Sequence, residues 1–182
     1  MQQEPTFLMC VGATKAGTSW LFDRLSAHED CHLRTIKELH YFDMLYRGNF
    51  DRYVEGFTRR AQGIEAELPA LSGGRLRKFQ RRLQDVTDWL AVVLKRGEDL
   101  AAYRAYLTQG LRGRRLVADV TPVTRCCPKT AFAAWQRWGR IPAFFTCCAT
   151  RWPGSGAMRA WWPSAAAARI MPPIACRSWT RC

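Results

Sequence analysis

At 182 residues, 48% hydrophobic and 24% charged, the chain has the make-up of a globular domain long enough to bury a real core. It contains no run of about 18 apolar residues, so no membrane-spanning helix is expected. The net charge of +13 suggests a nucleic-acid binder until its distribution is read: residues 1–119 hold 19 Lys/Arg against all 15 Asp/Glu, a net of +4, whereas residues 120–182 hold nine basic groups and no acid.

The opening residues, Met1-Gln2-Gln3-Glu4-Pro5, lack the basic and apolar regions of a secretory signal, so a cytoplasmic location is expected. Phe7-Leu8-Met9-Cys10-Val11 is a short continuous apolar run, the pattern of a buried parallel strand. Gly12-Ala13-Thr14-Lys15-Ala16-Gly17 follows, with small residues where the backbone has to bend and approach a ligand. Thr18-Ser19 then opens a helical pattern that turns Trp20, Leu21, Leu25 and Phe22 inward, with Thr18 or Ser19 as its cap.

A helix N-terminus presents unpaired N–H groups and a partial positive charge, and it therefore stabilises an anion. Lys15 adds a full charge beside it, and the Thr18 and Ser19 hydroxyls add donors, which suits a phosphate or phosphosulfate group. The nucleotide-triphosphatase loop G-x-x-x-x-G-K-[ST] does not fit, because Lys15 precedes the second glycine and Thr18 stands where that lysine would be. Further on, Leu25-Ser26-Ala27-His28 ends the helix and Thr35-Ile36-Lys37-Glu38-Leu39-His40-Tyr41-Phe42-Asp43 follows. In an extended segment Glu38, His40 and Phe42 share one face and Leu39 and Tyr41 the other. His28, Cys31 and His32 suggest metal at first sight, but no fourth ligand at a suitable spacing follows, and no metal is expected.

The strand, the G-x-x-K-x-G-T-[ST]-x-L loop and the helix resemble the 5′-phosphosulfate loop of the sulfotransferases, with Gly12, Lys15, Gly17, Thr18, Ser19 and Leu21 all matching. The K-E-x-H-Y-F element at Lys37–Phe42 is similar to one that carbohydrate-type and bacterial sulfotransferases carry at this distance from the loop. Together the two motifs cover roughly residues 6–43. The resemblance implies sulfuryl transfer from 3′-phosphoadenosine-5′-phosphosulfate (PAPS), as co-substrate, to a hydroxyl or amine of a carbohydrate or other small-molecule acceptor. It implies Glu38 as the base that takes the acceptor proton, with His40 beside it and Lys15 balancing charge on the leaving phosphate and sulfuryl oxygens. Gly12, Thr14, Lys15, Ala16, Gly17, Thr18 and Ser19 would form the cofactor cradle, and Lys37 and Asp119 would contact substrate. The implied fold is a three-layer α/β domain with a parallel sheet and the cofactor at the strand C-termini.

Between residues 46 and 115 the pattern speaks to shape more than chemistry. Tyr46 to Phe57 is aromatic-rich and reads as a short helix, residues 68–74 as a loop, Arg75 to Arg82 as a basic solvated helix face and Val86 to Leu94 as an apolar helical segment. Leu116-Val117-Ala118-Asp119-Val120-Thr121-Pro122 resembles the family's next strand, but its expected aromatic is Thr124 here, and the resemblance stops there.

Residues 120–182 hold six of the eight Cys, six of the eight Trp and seven of the nine Pro, with no Leu, His, Asn or Tyr. An acid-free run of this length arises by chance about once in a few thousand tries. The family's R-D-P-x-x-R-x-x-S element, which binds the 3′-phosphate of PAPS, is missing. Yet if GC-rich codons are assigned to Thr124–Phe132 and one T is restored ahead of them, the triplets read YALLPEDRL. Phe144–Met158, with third bases chosen as TTT for both Phe, TCT for Ser155 and GGA for Gly156, read FYLLRDPVARLWSH in the shifted frame, which supplies the missing element on an apolar strand. Residues 1–123 are therefore read as the N-terminal part of a sulfotransferase domain, incomplete at its C-terminus. Residues 124–182 are read as an out-of-frame, poorly folded tail, with one base missing near the codon for Val123. The competing reading, a divergent natural domain using Cys126-Cys127 and Cys147-Cys148 for metal or disulfides, suits neither geometry well. A nucleotide kinase or triphosphatase, or a basic nucleic-acid binder, are the other classes, and neither accounts for the K-E-x-H-Y-F element. The acceptor and the oligomeric state are not legible.

Overall fold

The computed structural model describes residues 4–10, 17–122 and 143–145. The chain divides into two compact units, one formed by residues 1–33 with 111–182 and the other by residues 34–110.

In the first unit β1 (Thr6–Cys10) leads toward α1 (Thr18–Ala27), and the short strand β2 (Cys31–His32) follows. β3 (Leu116–Val120) and β4 (Ala143–Phe145) complete a parallel sheet of order β2-β3-β1-β4. Thr6 pairs with Leu116 and Cys10 with Val120 along β1 and β3, while Leu8 to Cys10 pair with Ala143 to Phe145 on the other side of β1. Backbone bonds extend the ladder, with the amides of Arg115 and Leu116 both donating to the Asp30 carbonyl at 3.0 Å. Every residue of β3 is buried, which is why the strand reads as a continuous apolar run broken only by Asp119.

Leu8, Cys10, Leu116, Ala118 and Val120 form one face of this sheet, and Leu21 and Leu25 of α1 cover it together with Cys31 and Leu33. The buried positions of α1 are Thr18, Leu21 and Leu25, spaced three and four apart as a single helical stripe requires. Phe22 packs against the edge of the cluster as expected. Trp20 does not turn inward. It is 48% exposed, lying one position off the stripe, where its ring carries the Arg24 guanidinium at 5.6 Å.

The second unit is helical: α2 (Tyr41–Arg47), α3 (Phe50–Glu67), a 3-10 turn at Leu68–Ala70, α4 (Gly73–Val93) and α5 (Leu100–Thr108). The basic stretch from Arg75 and the apolar stretch from Val86 are one 21-residue helix. Its exposed side carries Arg75, Arg77, Lys78 and Arg81, and its inner side carries Asp85, Val86, Trp89 and Val93. Trp89 is fully buried at the centre of the unit, 4.9 Å from the Tyr106 ring and edge-on to Phe57, Tyr41 and Tyr103. Tyr41 stacks flat on Tyr103 at 4.4 Å, and its hydroxyl accepts from the Asp99 amide at 2.7 Å. Asp99 in turn caps α5, accepting from the Ala102 amide at 2.8 Å.

The segment at Thr35–Asp43 is not an extended strand. Glu38 and His40 both take left-handed backbone conformations, with φ of 65° and 56°, and α2 begins at Tyr41. Leu39 and Tyr41 are buried and Glu38, His40 and Phe42 half-buried, but Phe42 does not share an open face with Glu38: its ring packs on Tyr103, as the Tyr41 ring does.

Among the described residues no helix is long and apolar enough to cross a membrane.

Candidate functional site

The expected site residues fall in both units, and each group is described within its own unit.

In the first unit β1 ends at Cys10, and Gly17 stands as the N-cap of α1 with φ 80° and ψ 17°. This left-handed conformation is one that glycine adopts without steric cost. The first ladder bond of the helix runs from the Leu21 amide to the Gly17 carbonyl at 3.1 Å, so the amides ahead of Leu21 have no acceptor within the helix. Neither Thr18 nor Ser19 is the cap, and α1 has no side-chain cap hydrogen bond. Thr18 is instead buried at the first helical position, and Ser19 is exposed. Gly12, Thr14, Lys15 and Ala16 lie outside the described residues, as do Thr124 and the paired cysteines of the tail.

Asp119 lies opposite Met9 in the β1–β3 register, one position short of the strand end from which residues 11–16 depart. It is buried, and its Oδ1 accepts from the Thr121 hydroxyl at 2.7 Å. Thr121, two residues on and just past the end of β3, thus supplies a donor to a carboxylate that the sheet has taken out of water.

In the second unit Lys37, Glu38 and His40 lie together, with Lys37 paired to Glu38 rather than left for a substrate. Lys37 Nζ lies 3.1 Å from Glu38 Oε1, and His40 Nε2 lies 3.8 Å from Glu38 Oε2. The Glu38 side chain is 42% exposed, so the carboxylate has access to solvent and to a ligand. Non-glycine residues in the left-handed region cost roughly 1 kcal/mol or more each. Two of them at Glu38 and His40 are held in place by the burial of Leu39 and Tyr41 on the opposite side.

Asp43 was not among the residues singled out by sequence. Its Oδ2 lies 2.7 Å from His40 Nδ1, and the side chain is only 4% exposed. The i,i+3 spacing across the start of α2 is the signal that could have found it. The Tyr53 ring of α3 lies 5.2 Å from the His40 ring on its other side. His40 is therefore fixed by a carboxylate and an aromatic wall, with one nitrogen directed toward Glu38.

The segment carrying Glu38 is moored to α4 through Arg34. This buried guanidinium lies 3.0 Å from Asp85 Oδ1 and 2.6 Å from Asp88 Oδ2, and it covers the Tyr106 ring at 4.5 Å. Burial opposes its charge, yet Asp85, Tyr106 and Asp88 together hold its pKa above the ordinary arginine value. Asp85 Oδ2 also accepts from the Thr35 amide at 2.6 Å, so side chain and backbone of the segment are tied to the same carboxylate.

His28, Cys31 and His32 do not form a cluster. His28 Nδ1 accepts from the Asp30 amide, while Cys31 and His32 are buried in β2. Among the described residues no group of three or more His, Cys, Asp or Glu side chains is arranged to hold a metal ion.

No family model, no curated protein and no solved structure matches the chain.

Proposed function

We propose that this chain is the N-terminal part of a sulfotransferase, a transferase that moves a sulfuryl group from PAPS to a hydroxyl or amine of a carbohydrate or small-molecule acceptor. The observation that carries the reading is a parallel strand ending at Cys10 and a helix beginning immediately after a left-handed Gly17, with Lys15 in the sequence between them. Amides of the first turn, with Thr18 and Ser19, are of the right chemistry to hold the phosphosulfate end of PAPS, and Lys15 would offset its charge. Glu38, half open to solvent beside Lys37 and His40, is the group that would accept the acceptor proton as the sulfur–oxygen bond forms. The three-layer form of the fold belongs to the same proposal.

The tail forms part of this reading. The element that would grip the 3′-phosphate is absent from residues 124–182 and returns on insertion of one base near the codon for Val123. In the shifted reading the apolar strand falls on the codons that here encode Phe144 and Phe145, which pair with β1. With Phe144 and Phe145 written as TTT, the shifted triplets read Phe-Tyr, so an aromatic run stands at this place in both readings.

The test is calorimetric titration with adenosine 3′,5′-bisphosphate and transfer of labelled sulfate, on this chain and on its frame-restored counterpart. The expected result is weak or undetectable binding and negligible turnover here, binding and turnover after restoration, and loss of both in Lys15→Ala and Glu38→Gln of the restored protein. Robust transfer by the 182-residue chain, or an intact reading frame on resequencing the coding DNA, overturns the tail assignment. A crystal structure of the restored protein with the bisphosphate bound away from Lys15 overturns the transferase reading.

A further inference from the structure

Among the described residues several exposed arginines of the second unit have no ion pair, and so do two partly buried ones, Arg60 and Arg82. Arg34 takes both Asp85 and Asp88, Lys37 takes Glu38, Asp43 is engaged by His40, and Arg59 takes Glu55. Among the described residues neither Arg60 nor Arg82 has a carboxylate within 4.0 Å, although both are partly buried.

Their positions follow from the helix periods. Arg60 lies three residues after Phe57 and four before Ile64, the two buried positions of α3. Arg82 lies three before Asp85 and four before Val86, at the head of the buried stripe of α4. The connection from Glu67 to Gly73 is short, so α3 and α4 run back antiparallel, with these stripes facing each other. Both guanidinium stems therefore leave the packed side of the hairpin. Arg82 Nε is shut off from solvent and has no hydrogen-bond partner among the described residues. A buried donor left unmade is costly, and two like charges held together without a counter-ion add to that cost. Burial first, and then the nearby Arg82 charge, lower the Arg60 pKa below the ordinary arginine value, while Tyr106 and Glu38 act the other way. The Glu38 carboxylate is thus within electrostatic reach of Arg60, but it is already bonded to Lys37.

We propose that Arg60 and Arg82 form a receiving site, on the α3–α4 hairpin and within reach of Glu38, for an oxyanion substituent of the acceptor molecule: a sulfate, phosphate or carboxylate. Two planar guanidinium groups match such a group by parallel N–H bonds, and the anion supplies the counter-charge the interior lacks. That the anion belongs to an acceptor rests on the transferase reading; the anion site itself rests on the arginines alone. An acceptor anchored this way would present a neighbouring hydroxyl toward Glu38, which makes the pair a specificity element for acidic saccharides and similar small anions.

The experiment uses the full chain labelled with ¹⁵N and titrated with sodium sulfate, chloride being reduced to keep ionic strength constant. The Arg60 and Arg82 Nε–H resonances, identified by their loss in Arg60→Met and Arg82→Met, are expected to shift saturably. Arg77→Met/Arg81→Met, which removes exposed charge from the same helix, and Lys15→Ala should leave those shifts in place. Apparent sulfate affinity at this site should fall at least tenfold in either single Met variant. Shifts confined to other arginines, or a linear response without saturation, overturn the site and leave the stems as a cover for apolar surface. Should the Met variants not fold, Arg60→Lys/Arg82→Lys keeps the charge but loses the fork, and unchanged affinity in it overturns the proposal equally. On the frame-restored protein, a sulfated disaccharide should bind at least tenfold more tightly than its unsulfated counterpart. Equal binding overturns the acceptor assignment. Sulfate shifts at Arg60 and Arg82 without any binding of adenosine 3′,5′-bisphosphate by the restored protein would retain the anion site and reject the transferase.

Discussion

Asp43 Oδ2 lies 2.7 Å from His40 Nδ1, and this contact decides which nitrogen of the ring faces Glu38. An ionised carboxylate only accepts hydrogen bonds, so Nδ1 carries the hydrogen directed at Asp43. The expectation is a His40 ring in the Nδ1–H form, read from long-range ¹H–¹⁵N correlations. Asp43→Ala should return it to a tautomer mixture, and Asp43→Asn, which keeps an acceptor oxygen, should preserve the form. The alanine variant should also lose about 1–3 kcal/mol in urea unfolding, the cost of removing a charged partner from a partly buried group. A wild-type ring carrying its hydrogen on Nε2 would contradict the assignment.

Arg34 joins three elements through one side chain, and its removal should be severe. Arg34→Met fills part of the stem's volume but removes the guanidinium from over Tyr106 and leaves Asp85 buried without its cation. Breaking a buried pair by deleting one partner costs about 3–5 kcal/mol. Asp88→Asn should cost much less, since Asp88 is more open and Asp85 still compensates the guanidinium. Urea unfolding of the two variants should rank them in that order, and equal midpoints would show that Arg34 is not the mooring.

The parts of the fold that were legible are those set by local periodicity. Apolar runs located β1 and β3, and the three-and-four spacing of Leu21 and Leu25 located α1. Trp20 was misassigned because a large apolar ring next to a stripe is indistinguishable from a member of it, and the Arg24 contact that holds it outside is a surface matter. The basic and apolar stretches were read one after the other without being joined, because the change of composition coincides with a change of exposure along one continuous helix, α4. The backbone at Glu38 and His40 was illegible for a stronger reason. Nothing in a Glu or His side chain announces a positive φ, and only the packing of Leu39 and Tyr41 imposes it. The Arg34 contacts span about fifty residues, and Arg60 and Arg82 come together only through a helical hairpin; pairwise proximity of that kind has no local signature.

Alkaline pH should weaken each unit through a different residue. Burial first, and then Asp30, push the Cys31 thiol up to about 11, and burial likewise pushes the Tyr41 phenol up to about 12. In both cases the folded state favours the neutral form. The stabilising contribution is complete below the unfolded pKa, near 9 for the thiol and 10 for the phenol, and is lost as pH rises through the folded value. Stability should therefore decline above about pH 9, the first unit ahead of the second. Alkylation mapped by mass spectrometry should find Cys31 unmodified at pH 8 and reactive only above about pH 10. Absorbance near 295 nm should show Tyr41 ionising well above the ordinary phenol range. Rapid alkylation of Cys31 at pH 8 in the folded chain would overturn its placement in the core.

Two glycines at helices make opposite predictions from the same physics. Gly63 sits inside α3 in ordinary helical conformation, and a Cβ built on it meets nothing within 4 Å. Gly63→Ala therefore removes unfolded-state freedom without native cost and should stabilise the second unit by about 0.4–1 kcal/mol. Gly17 holds φ at 80°, where a Cβ crowds the following carbonyl, so Gly17→Ala should destabilise the first unit by roughly 1–2 kcal/mol. Urea unfolding followed by unit-specific amide exchange separates the two effects, with Leu21 and Leu25 reporting on α1 and Phe57 and Ile64 on α3. The sign of the difference also bears on function. If Gly17 is needed only for the turn, Gly17→Ala in the frame-restored protein lowers stability and leaves affinity for adenosine 3′,5′-bisphosphate unchanged at temperatures where the protein is folded. If the left-handed backbone at Gly17 aims the first-turn amides at the phosphosulfate, affinity falls at least tenfold under those same conditions, which is the outcome expected here.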